Sequence, residues 1–131
     1  MAARDGDYAA MTWYPPDERL ARWRELYCAV ARGNGGEPDA GRRLRSWALR
    51  AGFTDVTSSA SAWCFASPGD RAWWASTWAD RMTASSLADQ VVDRQLGTRE
   101  DLATVAQGFR EWAARDDGWF AVLHGEVLCR G

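Results

Sequence analysis

A chain of 131 residues with 47% apolar and 26% charged content has room for one sizeable core and is too short for two comfortable ones. Sixteen cations against 18 acids leave a formal charge of −2, which gives no electrostatic basis for a nucleic-acid partner or an anionic membrane surface. Three widely spaced cysteines (Cys28, Cys64, Cys129) make neither a disulfide framework nor a zinc site, and no run approaches the ~20 apolar residues of a membrane span.

The first residues lack the apolar segment of a secretory leader, so a cytoplasmic location is expected. All the cations are arginine, scattered from Arg4 to Arg130; compositional bias explains them better than anion recognition does. Nine tryptophans are the unusual count, and most of them belong in packed positions because each buries a large apolar area.

In chain order, Met1, Ala2 and Ala3 followed by Arg4-Asp5-Gly6-Asp7-Tyr8 look like the end of a strand running into a loop. Pro15-Pro16-Asp17 opens a helix, with proline in the first turn and an acid at the positive helix end. Leu20, Trp23, Leu26, Tyr27 and Val30 form its apolar stripe, and Gly33, Gly35 and Gly36 end it. Asp39 is a cap for a second helix whose stripe is Leu44, Trp47, Ala48 and Ala51, closed by Gly52.

Residues 53–66 have the β-branched and small residues of a strand. Ser67-Pro68-Gly69-Asp70 is a capped helix entry, and the helix behind it carries Trp73, Trp74 and Trp78. A further helical stretch covers 87–96 and stops at Gly97. Thr98 to Asp101 is a capping box leading an amphipathic helix with Leu102, Val105, Ala106, Phe109 and Trp112 on one face. After the Asp117-Gly118 turn, 119–129 form a final strand, apolar on both faces apart from His124 and Glu126, as in a buried strand. No internal repeat or low-complexity linker interrupts this order, so 1–131 is expected to be a single domain or part of one.

Three stretches carry a family resemblance: Arg4-Asp5-Gly6-Asp7-Tyr8 after a strand, the helix from Gly41 to Ala51-Gly52-Phe53 with a strand at once behind it, and the terminal strand from Trp119 to Val127. Together they resemble the C-terminal half of a class I S-adenosylmethionine-dependent methyltransferase of the small-molecule type. The resemblance implies an α/β fold with a partial Rossmann-like methyltransferase sheet. Residues 1–4 would be the tail of its strand five, 54–66 its strand six and 119–129 its antiparallel strand seven, adjacent in the order five, seven, six. Residues 67–118 would be a helical insertion that covers the substrate.

In that family a glycine-rich turn after strand one and an acid after strand two hold the S-adenosylmethionine. Neither is found here, since Gly33-Asn34-Gly35-Gly36 joins two helices. The expectation is therefore a chain that lacks the cofactor-binding N-terminal half, does not hold the cofactor tightly alone, and is inactive without a partner segment. A truncated reading frame is the other origin considered.

The resemblance implies a small-molecule methyl acceptor. Asp5, Asp7 and Tyr8 fall just past a strand's C-terminal end, where open α/β sheets bind ligands; a solvated turn is the plainer reading. Trp13 and Tyr14 are candidates to wall an acceptor, against simple packing on the helix that follows. Trp63, Trp74 and Trp78 are candidates for a hydrophobic pocket, against a place in the core. His124, the one histidine, is the candidate base beside Asp7, and a histidine merely satisfied within its sheet competes with it. Glu126 is two residues on and shares its face, so it is a candidate to pair with it. No metal-ligand cluster, phosphate loop or nucleophile elbow is found. The alternative to an enzyme part is a non-enzymatic Trp-rich module binding an apolar ligand or a partner chain.

Overall fold

The computed structural model describes Met1–Gly131. In chain order it runs β1 (Ala2–Gly6), β2 (Thr12–Tyr14), α1 (Glu18–Gly33), α2 (Leu44–Arg50), β3 (Asp55–Phe65), α3 (Pro68–Ala84), α4 (Ser86–Asp93), α5 (Arg99–Ala113) and β4 (Trp119–Arg130), with single 3-10 turns at Tyr8–Ala10 and Ala40–Arg43. This is an α/β chain with an open, antiparallel four-stranded sheet and five helices. No helix is long and apolar enough to cross a membrane.

β4 organises the sheet, since β1, β2 and β3 all pair with it. Its register against β1 is antiparallel, with Arg4 opposite Glu126 and Gly6 opposite His124. The Glu126 carboxylate takes bonds from Arg4 of β1 and from Ser59 of β3. A strand has two edges, so β4 lies between β1 and β3 at this point.

The chain divides into two compact units. The first comprises Met1–Thr12, Glu37–Cys64 and Ala121–Gly131. Its apolar centre is Ala48 of α2 against Val127 and Cys129 of β4, with Ala3, Leu44, Phe53 and Val56 around them. α2 is short because the chain around it is full of small and charged residues, and Ala48 is its one buried residue.

The second unit comprises Trp13–Gly36 and Phe65–Phe120. Here α1, α3, α4 and α5 bury the apolar stripes that their sequences carry. Asp17 caps α1 by accepting from the Arg19 N–H at 2.8 Å. Ser67 caps α3 with Pro68 behind it. Thr98 and Asp101 close a reciprocal capping box on α5. At the centre, Trp23 meets Trp13, Trp78, Phe109 and Phe120 edge-on at 4.7–6.3 Å between ring centroids.

Several expectations need correction. β1 runs on to Gly6, so Asp5 lies within the strand rather than beyond it. Thr12–Tyr14, between the expected strand end and the first helix, form the short strand β2. Trp47, placed on the buried stripe of its helix, is 40% exposed, and Asp39 caps no helix but accepts the Ala9 N–H. α4 stops at Asp93, and Gln95 rather than Gly97 takes the left-handed backbone behind it, at φ 58°.

β4 is not buried on both faces throughout. Phe120, Val122 and His124 are buried on one face, whereas Val127 and Cys129 are buried on the other. Its apolar residues on successive positions hide a change of buried face along one strand.

Candidate functional site

The first unit holds the chemistry-bearing residues. β1 delivers Asp7 one residue past its end, and the Asp7 N–H continues the ladder by donating to Leu123 O at 2.9 Å. The 3-10 turn Ala40–Arg43 lies close enough to β4 that only glycine fits. A Cβ on Gly125 would sit 2.0 Å from Gly41 O, and one on Gly41 would sit 2.8 Å from Asp5 O. That approach carries Arg42 to Asp7. Its Nε donates to Oδ2 and its Nη2 to Oδ1, both at 2.6 Å, in the planar two-bond geometry that guanidinium and carboxylate favour.

Asp7 is 2% exposed and also accepts the Ala10 N–H at 3.2 Å. The Arg42 hydrogen bond, opposed in part by burial, holds the Asp7 carboxyl below the ordinary carboxylate range, and the same bond raises Arg42. Asp7 is therefore ionised at neutral pH with both oxygens engaged.

Three residues beyond Arg42, Arg45 reaches the other way. Its Nη1 donates to Val56 O at 2.7 Å and approaches Ser58 Oγ at 3.4 Å. Between the two arginines is a cleft of about 290 Å³ whose lining includes Asp7, Gly41, Ser58 and Leu123. A shallower concavity of about 520 Å³ lies on the sheet around Arg4, Thr57, Ser59, Glu126 and Leu128.

His124 is buried, its ring against Trp63 at 4.3 Å between centroids and tilted by 52°. Its Nδ1 is enclosed and makes no well-formed hydrogen bond. Burial first, and the charge of Arg4 second, lower its pKa from the ordinary 6.5, so the ring is neutral at pH 7. Glu126 is not its partner, because Arg4 Nε donates to that carboxylate at 2.6 Å and Ser59 Oγ at 3.2 Å. The Arg4 bond holds Glu126 low.

Of the residues singled out from sequence, Asp5, Asp7, Tyr8, Trp63 and His124 fall in this unit. The Asp5 carboxylate accepts the Gly6 N–H, and the Tyr8 N–H donates to Pro38 O. Trp63 is half exposed. The others belong to the second unit. Trp13 stacks on Phe120 at 5.5 Å, and the Arg24 guanidinium lies over its ring at 4.8 Å. Tyr14 is exposed, while its carbonyl accepts Trp112 Nε1. Trp74 and Trp78 are 7% and 1% exposed and pack on Phe65, Phe120, Trp23 and Tyr27.

Arg42, Arg45 and Ser58 were not singled out from sequence. Their one visible signal was an i, i+3 pair of arginines on a short helical segment, lost among the other fourteen.

No family model matches the chain. Over 100 residues it is 32% identical to a curated protein of Schizosaccharomyces pombe described as an uncharacterized methyltransferase. The chain is similar to a methyltransferase. The aligned part is 72% of this chain and 34% of the relative, so the chain spans about a third of the length of the curated relative it matches.

Proposed function

We propose that these residues form the acceptor side of a class I S-adenosylmethionine-dependent methyltransferase acting on a small molecule, with β1, β4 and β3 as its strands five, seven and six. The observation that carries this reading is the place of β4: long, antiparallel to β1, and flanked by β1 and β3. That is the order the resemblance implies, and the likeness to a methyltransferase supports a methyltransferase relationship in general.

The donor has no matching grip among these residues. Gly33-Asn34-Gly35-Gly36 closes α1, with the Asn34, Gly35 and Gly36 N–H groups spent on Val30, Arg32 and Ala31 carbonyls. Those amides are turned into the helix end and are not free to approach a nucleotide-like ligand. The donor-holding elements are assigned to other residues of a methyltransferase fold, and β1, at the end of the sheet path, is the strand they would adjoin.

When bound, the donor supplies an electrophilic methyl group. The residues here orient the acceptor and manage its proton. Asp7, held ionised and doubly bonded by Arg42, fixes the loop behind β1 rather than taking a proton. His124 is neutral at pH 7 and is the group whose protonation state suits a base.

Titration calorimetry with S-adenosylmethionine tests the division of roles. The 131 residues alone are expected to give no saturable heat. Joined to the donor-binding residues of a methyltransferase, they are expected to transfer label from the donor to a small acceptor. Micromolar donor binding by the chain alone overturns the proposal.

A further inference from the structure

We infer that the cleft between Arg42 and Arg45 is an oxyanion site that takes the carboxylate or phosphate of a small organic acid. Its polar lining sets two guanidinium groups and the Ser58 hydroxyl against two carboxylates already bonded by arginine, with the neutral ring of His124 beside them. Arg42 uses Nε and Nη2 on Asp7, which leaves Nη1 unspent. Arg45 uses only Nη1, so Nε and Nη2 donate to no protein group. Ser58 adds a hydroxyl on the same side.

The acceptors close by are already committed. Asp7 is bonded by Arg42, and Glu126 by Arg4 and Ser59. The lining carries two arginines and two carboxylates; Asp7 is bonded to Arg42 and Glu126 to Arg4 outside it, so Arg45 is the arginine of the lining with no carboxylate partner. Glu37 and Asp39 also act on Arg42 from outside the cleft and temper its field. An incoming ligand must therefore bring the acceptors, and planar guanidinium groups select carboxylate and phosphate.

Two further features fit such a ligand. Leu123, 36% exposed, gives an apolar contact to its body. The volume, about 290 Å³, is at the small end of ligand clefts. The Asp7 pair also fixes Arg42 in place before any ligand arrives, which removes part of the ordering cost of binding.

Binding here needs no methyl donor, so the test runs on the chain alone. Inorganic phosphate and benzoate are titrated separately into ¹⁵N-labelled protein in a chloride buffer of constant ionic strength. Saturable amide shifts centred on Arg45, Ser58 and Leu123 are expected for one probe or both, and the stronger of the two identifies the oxyanion. Arg45→Met is expected to weaken that probe about tenfold, and Ser58→Ala by a smaller factor. Arg43→Gln removes an exposed arginine outside the lining and is expected to change nothing. The inference is overturned if neither probe saturates, if the shifts spread over arginines generally, or if Arg43→Gln weakens binding as much as Arg45→Met. Ser58→Ala removes one exposed hydroxyl and keeps the test decisive should Arg45→Met disturb α2.

Discussion

Asp7 and His124 sit beside each other in the first unit yet answer to opposite influences. Asp7 gains a bonded cation and stays charged, while burial, helped by the charge of Arg4, keeps His124 neutral. Replacing Asp7 by Asn keeps the shape and removes the charge-assisted pair. We expect a loss of about 2 kcal/mol at pH 7, less than for a fully buried pair because Arg42 is half in solvent. A depressed carboxyl stabilises the fold fully above its unfolded value of 3.8, and that contribution fades as pH falls through the lower folded value. The gap between wild type and Asp7→Asn in urea denaturation should therefore close in strong acid. A gap that persists unchanged below pH 3 would assign the loss to something other than the charge. For His124 the window differs. The unfolded chain takes up a proton near 6.5 that the folded chain refuses, so stability falls as pH drops from about 6.5 toward the folded value. Asp7 and Glu126, held low by their arginines, titrate below this window, so His124→Gln is expected to flatten the denaturation midpoint between pH 7 and pH 5. A slope equal to that of wild type would show that burial does not hold the ring neutral.

At the scale of elements, the closest constraint is the approach of the Ala40–Arg43 turn to β4. The atom facing Gly125 is a backbone oxygen, which cannot swing away as a side chain does. Gly125→Ala is expected to cost about 3 kcal/mol or more and to release Arg42 from Asp7. Gly69→Ala, on α3 with nothing within 4 Å of the added carbon, is expected to be neutral or slightly stabilising. Equal thermal shifts for the two variants would refute the close approach. This constraint also marks the limit of what the sequence made legible. Local signals held: the Thr98–Asp101 box, Ser67 with Pro68, and Asp17 before α1 all start the helices they advertise. What failed depended on distant partners. β2 is three residues long, and only its pairing with β4 makes it a strand. The buried face of β4 changes because different residues cover its two ends, which an unbroken apolar run conceals. Arg42 finds Asp7 across 35 positions of sequence, and no spacing rule reaches that far.

The whole molecule is threaded so that the chain passes between its two units four times, and each of them is built from separated stretches of sequence. Neither unit is a contiguous segment, although a stretch matching residues 67–118 makes up most of one of them. Within the second unit the tryptophan abundance resolves into packing. Trp23, Trp78 and Trp112 are at most 2% exposed, so in this conformation they offer no surface to a ligand. A core role and a pocket role make different demands on stability. Trp23→Ala deletes the ring that touches Trp13, Trp78, Phe109 and Phe120. It is expected to cost about 3–5 kcal/mol, a large part of the ~5–15 kcal/mol that holds a domain of this size. Trp73→Ala, which removes a ring 56% exposed that stacks on Phe65, is expected to cost about 1 kcal/mol. Equilibrium urea unfolding followed by far-ultraviolet circular dichroism separates the two. If Trp23→Ala is as mild as Trp73→Ala, the aromatic cluster is loosely held, and the Trp-rich module binding an apolar ligand regains its case.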